Sequence, residues 1–293
     1  MTRRVRGHRR GYVLILTLGL LALAATLLVG VARASLRHAV AAREAVDGLQ
    51  RRVGVRSCQG VALPHAGDIL IRQEQRRKAP VAILRTSIAL GGQRFDVVVA
   101  DEQAKANVNA MIERSPDGAA SRLRELLEPT GVASAIRLRQ SSVRSFGGMF
   151  DRVSIENLAN GRGARPAALD FVTCWGNGSI NARRAPESVL RVASNPPLGP
   201  NDVAQLLQLR QDRFRGVRTS PVAAPGSDAS ADRVGKLFSQ SGGPGSRSAG
   251  TLTTGSSCFS LWVIVRDGRR SWEHFAVRDE SDPQRAQTRT FVW

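Results

Sequence analysis

The sequence has little of what catalytic and metal centres require. Its cysteines, Cys58, Cys174 and Cys258, are too few for a disulfide scaffold and form no CxxC pair that would suggest zinc. An odd number leaves at least one thiol unpaired, and whether Cys174 pairs with Cys258 stays open. The four histidines are scattered, and no HExxH, GxSxG, P-loop or GxGxxG in a βαβ setting is present. We therefore expect neither an enzyme nor a resident cofactor.

Lysine and aromatic residues are also scarce. Only Lys78, Lys105 and Lys236 of the 43 basic residues are lysine, and aromatics make up 5% of the chain, with Tyr12 the single tyrosine. A net charge of +19 can indicate nucleic acid or an anionic membrane surface as a partner. Here the arginines are spread along the whole chain with few aromatics to stack on bases. We interpret them as solvated surface residues and expect no nucleic-acid partner.

What the sequence does have is a long uncharged run near its start, "YVLILTLGLLALAATLLVGVA", residues 12–32. As a helix it would span about 31 Å, the hydrocarbon thickness of a bilayer. The apolar part of a cleaved secretion signal is shorter, at about 7–15 residues. Five arginines precede the run, which favours a cytoplasmic N-terminus and a translocated remainder. We predict a single membrane-spanning helix that is retained.

The residues around Gly11 resemble a cleavage site. A short basic leader, residues 1–11, ends in Gly11 and is followed by Tyr12 and the apolar helix, which resembles the type IV pilin-like prepilins. The resemblance implies that prepilin peptidase cleaves after Gly11 and that the new amine on Tyr12 is methylated. Most pilin-like subunits carry glutamate at the fifth mature position, where this chain has Leu16. Among the pseudopilins of type II secretion, the K subunit at the filament tip is the one that lacks it.

Helical periodicity continues beyond the anchor and gives way to strands. Small and apolar residues recur at heptad-like spacing from Ala32 to Val53, so we predict a helical continuation through residues 33–80 that packs on its own head or on sister helices. In residues 81–102 apolar and polar residues alternate around Gly91-Gly92, which predicts a hairpin.

Two further segments resemble general secretion pathway protein K. "DEQAKANVNAM" (101–111) matches its DE-x-x-K-x-N-x-N segment, and "GSINARRAPESVLRVA" (178–193) matches G-x-I-N-x-x-x-A-P-x-x-V-L. Alternating asparagines after a strand are typical of side chains that bond backbone groups, so a structural role is favoured. Proline suits the first turn of a helix, whose apolar pair would then face the core. The matching residues are Asp101, Glu102, Lys105, Asn107, Asn109, Ile180, Asn181, Ala185, Pro186, Val189 and Leu190.

The order of these segments predicts an α+β fold. A long N-terminal transmembrane helix leads to a pilin-like antiparallel β-sheet head, formed by residues 81–102 and 251–293 and interrupted by an inserted α-helical domain at 103–218. The Gly/Ser/Pro-rich stretch 219–250 is predicted to be a flexible loop. An acidic, tryptophan-containing segment of the family is absent, so the fold of residues 112–155 is left unassigned.

The resemblance implies a minor pseudopilin that forms the tip of the periplasmic pseudopilus and primes its assembly. Implied partners are the I- and J-type minor pseudopilins, the major pseudopilin, prepilin peptidase and the bacterial inner membrane.

Two alternatives stay open. Acidic loop residues could hold a structural Ca²⁺, namely Asp101, Glu102, Asp279, Glu280 and Asp282. "INARRAPESVLRVA" also resembles the helix-hairpin-helix repeats of membrane-anchored competence proteins, which bind DNA backbone through helix N-termini. In that motif the turn is normally Gly-x-Gly, whereas here "NPPLGP" has prolines that remove amide donors.

Overall fold

A computed structural model describes residues 9–138, 142–160, 165–195, 198–215, 251–267, 270–280 and 287–292. The chain divides into two compact units, Met1–Val53 and Gly54–Trp293. Its helices are α1 (Arg9–Ala62), α2 (Ala66–Arg77), α3 (Val108–Arg114), α4 (Pro116–Leu127), α5 (Ile155–Asn160), α6 (Glu187–Ala193) and α7 (Pro200–Arg215). Its strands are β1 (Ile83–Leu90), β2 (Gln93–Asp101), β3 (Ala106–Asn107), β4 (Val172–Thr173), β5 (Ile180–Asn181), β6 (Leu252–Thr253), β7 (Cys258–Asp267), β8 (Arg270–Asp279) and β9 (Gln287–Val292).

The first unit contains α1 as far as Val53, including its apolar run. One helix, Tyr12–Ala62, is long and apolar enough to cross a membrane, and the most apolar part of it is not buried within the chain. Its large side chains are exposed, with Leu28 at 73% and Leu21 at 67%. So much continuous apolar surface is unfavourable in water. The helix therefore fits a single-pass membrane anchor.

The helix breaks earlier than the sequence predicted. The continuation expected over residues 33–80 is two helices, because α1 ends at Ala62 and α2 begins at Ala66. Pro64 lies in the turn between them, where it lacks an amide proton and disfavours helical backbone in the residue before it. The chain then leaves α2 through Lys78, whose φ is 51°.

The head is built on one five-stranded antiparallel sheet with the order β1-β2-β7-β8-β9. Gly91 and Gly92 join β1 to β2 with φ values of 58° and 79°, the two positive angles of a type I′ turn. The Asp267-Gly268 pair also predicts a turn, between the two apolar segments of a second hairpin, and that turn falls partly outside the described residues. Because β2 and β7 pair although the helices lie between them in sequence, the α+β fold with an interrupted sheet is confirmed.

The two faces of the sheet bury different cores. On one face the alternating residues of β2 and β7 pack with the start of the second unit and α2, and the set includes Phe95, Val97, Val99, Leu261, Val263, Val55 and Leu70. Gly54 lies against Phe95 so closely that a Cβ there would be 2.2 Å from the ring. On the other face Trp262 and Phe275 pack against the inserted helices. Each face thus fixes one layer of the head.

The insertion packs around the helices α3, α4 and α6, whose apolar side chains form its core. Residues 112–155, left unassigned from the sequence, contain the last three residues of α3 and all of α4, with Leu123 and Leu127 fully buried. Two short parallel pairs, β3 with β4 and β5 with β6, bring distant segments together. The strand β6 therefore pairs with the insertion, although residue 251 was predicted to begin the head. The predicted loop at 219–250 lies outside the described residues.

Candidate functional site

The two motifs meet in one buried cluster, named here the polar junction. The Asn181 side chain donates from Nδ2 to Asp101 Oδ2 at 2.8 Å, which joins the end of β2 to the end of β5. Asp101 is completely buried, and its other oxygen accepts from Ser256 Oγ and from the amide of Gln103. The polar junction consists of Glu74, Asp101, Glu102, Lys105, Asn181, Arg183, Arg184, Ser256 and Ser260.

Two arginines connect the motifs to α2. Arg184 donates from Nε to Glu74 Oε1 at 2.7 Å and from Nη1 to Asp101 Oδ2 at 3.1 Å. Arg183 donates from Nη2 to Glu74 Oε2 at 2.6 Å. Since the Glu74 side chain is fully buried and that of Arg184 is 4% exposed, these charges have little water to solvate them. Each must therefore be satisfied by the others.

Burial and pairing act in opposite directions on these groups. Burial raises the pKa of Asp101, against the effect of its bonds from Ser256, Arg184 and Asn181. Burial alone would lower the pKa of Arg184, but the hydrogen bond to Glu74 and the charges of Asp101 and Glu74 outweigh it, so that pKa is raised. Arg184 is thus held as a cation between two carboxyl groups.

A second ion pair, between Lys105 and Glu102, is as deeply buried as the pair between Arg184 and Glu74. The Lys105 ammonium donates to Glu102 Oε1, which also accepts from Ser260 Oγ, and the Lys105 and Glu102 side chains are 3% and 0% exposed. Glu102 Oε2 has no hydrogen-bond partner among the described residues. This pair connects the short turn after β2 to β7, next to the first pair.

The nearby thiols are unreactive. Cys58, Cys174 and Cys258 are all free and buried, so Cys174 and Cys258 form no disulfide in this structure. Burial, followed by the charge of Glu102, raises the pKa of Cys174, and burial followed by the charge of Asp279 raises that of Cys258. Because the thiolate is the nucleophile, protonated thiols of this kind are inert.

The motif asparagines bond backbone groups. Asn107 caps α3 by accepting from the Ala110 amide at 3.1 Å, and its Nδ2 donates to the Trp175 carbonyl at 2.8 Å. Asn109 donates to the carbonyls of Cys174 and Val143 at 3.0 and 2.9 Å and accepts from the Val143 amide. Both side chains therefore hold the start of α3 to the segment around residue 175.

The apolar motif residues lie in the core of the insertion. Ile180 is 1% exposed, and Val189 and Leu190 are fully buried on α6. Pro186 stands at the N-cap of α6, one residue before the helix, and its carbonyl accepts from the Leu190 amide at 3.1 Å. The expected place in the first helical turn is thus off by one residue.

The remaining predicted residues are not members of the polar junction. Gly11, Tyr12 and Leu16 are on α1, with the Tyr12 and Leu16 side chains 70% and 52% exposed. Glu280 pairs with Arg278, and Asp282 lies outside the described residues. Among the described residues no group of three or more Cys, His, Asp and Glu is placed to hold a metal ion. The structural Ca²⁺ stays a prediction.

Five members of the polar junction were not predicted from the sequence: Glu74, Arg183, Arg184, Ser256 and Ser260. The arginines adjoin Asn181 in "NARR", but nothing distinguishes them from the other arginines of a basic chain. Glu74 is a single acid among basic residues in "RQEQRRK", and this was only a weak indication that its carboxylate pairs with a buried arginine. Chemically the cluster connects elements and offers no activated nucleophile.

No protein-family model matches the chain, and no curated protein matches it. A search of solved structures finds a likeness to a chain in the crystal structure of the GspK-GspI-GspJ complex from the type 2 secretion system of enterotoxigenic Escherichia coli. The match has 14% sequence identity and a TM-score of 0.39, and it covers 86% of this chain and 98% of that one. The likeness is distant, so the proposal below rests on the residues of this chain.

Proposed function

We propose that this chain is a K-type minor pseudopilin of a type II secretion system. It is anchored in the bacterial inner membrane with its N-terminus in the cytoplasm and its head in the periplasm. There it forms the tip of the pseudopilus with I- and J-type minor pseudopilins and primes assembly for protein export. Its role is structural and not enzymatic.

The observation that carries the proposal is the meeting of the two motifs. Asp101 and Asn181 come from segments that each resemble the K family, and they bond directly although 80 positions separate them. Two independent resemblances in sequence thus belong to one structural unit, at the point where the sheet continues into the insertion. The arrangement supports a head in which sheet and insertion act as one rigid body.

The N-terminal helix supports the anchoring. Its exposed apolar surface is covered by lipid. In this proposal prepilin peptidase cleaves after Gly11 and removes the leader that precedes Tyr12. A glutamate in a bilayer costs about 2.5–3.5 kcal/mol on insertion scales and needs a partner, which in a filament is a neighbouring subunit's amine. Leu16 makes no such demand, which suits a subunit at the tip rather than in the repeating shaft.

The part of α1 beyond the membrane supports assembly. Val46, Leu49 and Val53 of the heptad-like stripe are 53%, 55% and 54% exposed. Apolar residues at this spacing suit packing against parallel helices. We assign this stripe to contacts with the helices of the other minor pseudopilins and of the major pseudopilin.

No observation favours the DNA-binding alternative. At the start of α7 the Gly199 amide donates to Asp202 Oδ2 at 3.1 Å. A carboxylate thus occupies the helix N-terminus, where a DNA phosphate would have to bind. Residues 196–197 of the turn lie outside the described residues.

The test is the mass of the mature chain in cells that contain prepilin peptidase. The wild-type chain should begin at methylated Tyr12, whereas Gly11→Val should keep the leader and lack the methyl group. Gly19→Val is the matched control, since a Cβ at Gly19 meets nothing within 4 Å on the same helix, and it should be processed normally. A wild-type chain that keeps its leader, a Gly11→Val chain processed like wild type, or a first residue downstream of Val31 would each refute the proposal.

A further inference from the structure

The sheet ends in a long, unprotected edge. β1 is the outermost strand, and among the described residues no other strand pairs with its outer side. It runs for eight residues in continuous register with β2, and its last six residues are exposed. Natural sheets usually protect such an edge with proline, a bulge or a charge; β1 has no proline or bulge, and its one charge, Arg85, is paired with Asp170.

The register shows which backbone groups are unpaired. The Asp101 amide donates to the Ala82 carbonyl at 2.9 Å, so these opposed residues form a hydrogen-bonded pair. Hydrogen-bonded and non-bonded pairs alternate in an antiparallel ladder. The non-bonded positions of β1 are therefore Ile83, Arg85, Ser87 and Ala89, whose N–H and C=O groups point outward. These groups can pair with an added strand.

The side chains next to this edge differ between the two faces. On the face shared with Phe95, Ile88 and Leu90 are 38% and 41% exposed. On the other face Asp96 is shared by two guanidiniums, with Arg94 Nε at 3.4 Å and Arg266 Nη1 at 2.9 Å.

Among the described side chains next to the edge, positive charge is in excess. Arg85 is neutralised by Asp170 at 2.6 Å, and Arg94 and Arg266 share the single carboxylate of Asp96. Arg94 lies on the strand next to β1 and is 77% exposed, so it can contact an added strand. A second copy of the same edge would bring like charges to this face, which disfavours self-pairing.

We propose that β1 binds an extended segment of another protein by strand addition, with acidic and apolar side chains alternating along that segment. Its backbone pairs with the outward groups of residues 83, 85, 87 and 89. Its acids contact Arg94, and its apolar residues cover Ile88 and Leu90. The inference rests on the proposed function only for the source of the segment, which is a neighbouring pseudopilin.

The backbone part is tested by fluorescence anisotropy on the full chain in detergent micelles. The probe is a labelled peptide in which glutamate and valine alternate, compared with its lysine-for-glutamate analogue. The acidic peptide should bind at least about tenfold tighter than the lysine peptide. Ala89→Pro removes one outward N–H and should weaken binding at least about tenfold, whereas Ala89→Val keeps the N–H and should bind as wild type.

The contact between the acids of the segment and Arg94 is tested with Arg94→Glu, which should reverse the preference between the two peptides. This variant tests the proposal even if Ala89→Pro does not fold. Equal binding by Ala89→Pro and Ala89→Val, no binding by wild type, or an unchanged preference in Arg94→Glu would each overturn the strand-addition proposal. Co-purification of the full chain with its minor pseudopilin partners is measured separately. If the full chain binds the peptide but does not co-purify with minor pseudopilins, the proposed function is contradicted and the strand-addition proposal is not.

Discussion

The buried ion pairs make a quantitative prediction about stability. Arg184→Met removes a side chain that bonds both Glu74 and Asp101, and it leaves those two carboxyl groups fully buried. Breaking a buried pair from one side typically costs about 3–5 kcal/mol. Against the usual stability of about 5–15 kcal/mol, such a loss brings the head close to unfolding.

Two comparison variants separate charge from packing. Arg183→Met removes only one bond to Glu74 from a side chain that is 26% exposed, so it should cost about 1.5 kcal/mol. The double variant Glu74→Met with Arg184→Met removes one of the stranded carboxylates. It should therefore be more stable than Arg184→Met alone.

The assay is urea unfolding of the full chain in detergent micelles, followed by tryptophan fluorescence. All four tryptophans belong to the second unit, so the signal reports on the head and not on the anchor. If Arg184→Met cost no more than Arg183→Met, or if the double variant were less stable than Arg184→Met, the polar junction would not be the connection between α2 and the insertion that the structure indicates.

Two further predictions use the same assay. Gly54→Ala should destabilise the head by about 1–3 kcal/mol, because its Cβ would overlap the Phe95 ring. Gly60→Ala in the same helix meets nothing within 4 Å and should be neutral or up to about 1 kcal/mol stabilising. Similar losses of stability in the two variants would contradict the packing of Gly54 on Phe95. The hydrogen bond from Ser87, followed by the charges of Arg266 and Arg94, lowers the pKa of Asp96 from its ordinary 3.8. The stability that ionised Asp96 adds is therefore present above pH 3.8 and is lost as the pH falls below it. The difference in unfolding free energy between wild type and Asp96→Asn should accordingly shrink in acid. A difference that grew in acid would contradict the lowered pKa.

Local patterns were sufficient for much of the fold. Alternation around Gly91-Gly92 predicted the first hairpin, because two glycines supply the two positive φ angles that its turn requires. The order of strands, helices and strands predicted the interrupted sheet. The apolar run predicted the long N-terminal helix, since its length and lack of charge are visible without any tertiary contact.

What the sequence did not reveal depends on contacts between distant positions. Glu74 and Arg184 are 110 positions apart, and no local period distinguishes a buried arginine from a solvated one in a chain with this many. The pairing of β5 with β6 joins segments that are 72 positions apart, from Ile180 to Leu252. The end of α1 stayed open in the sequence because Pro64, Gly54, Gly60 and Gly67 could each end a helix, and the structure places the end at Ala62.

The placement of the insertion between two neighbouring strands has a consequence for synthesis. β2 ends at Asp101 and its partner β7 begins at Cys258, 157 positions later. At a translation rate of about 5–20 residues per second, β2 waits roughly 8–30 s for that partner. During this time the nascent hairpin has two bare edges, one of them made of the apolar residues that later form the middle of the sheet. Such an unpaired apolar edge can pair with the same edge of another nascent chain. A chaperone that covers it during synthesis should therefore reduce aggregation of the unfinished head.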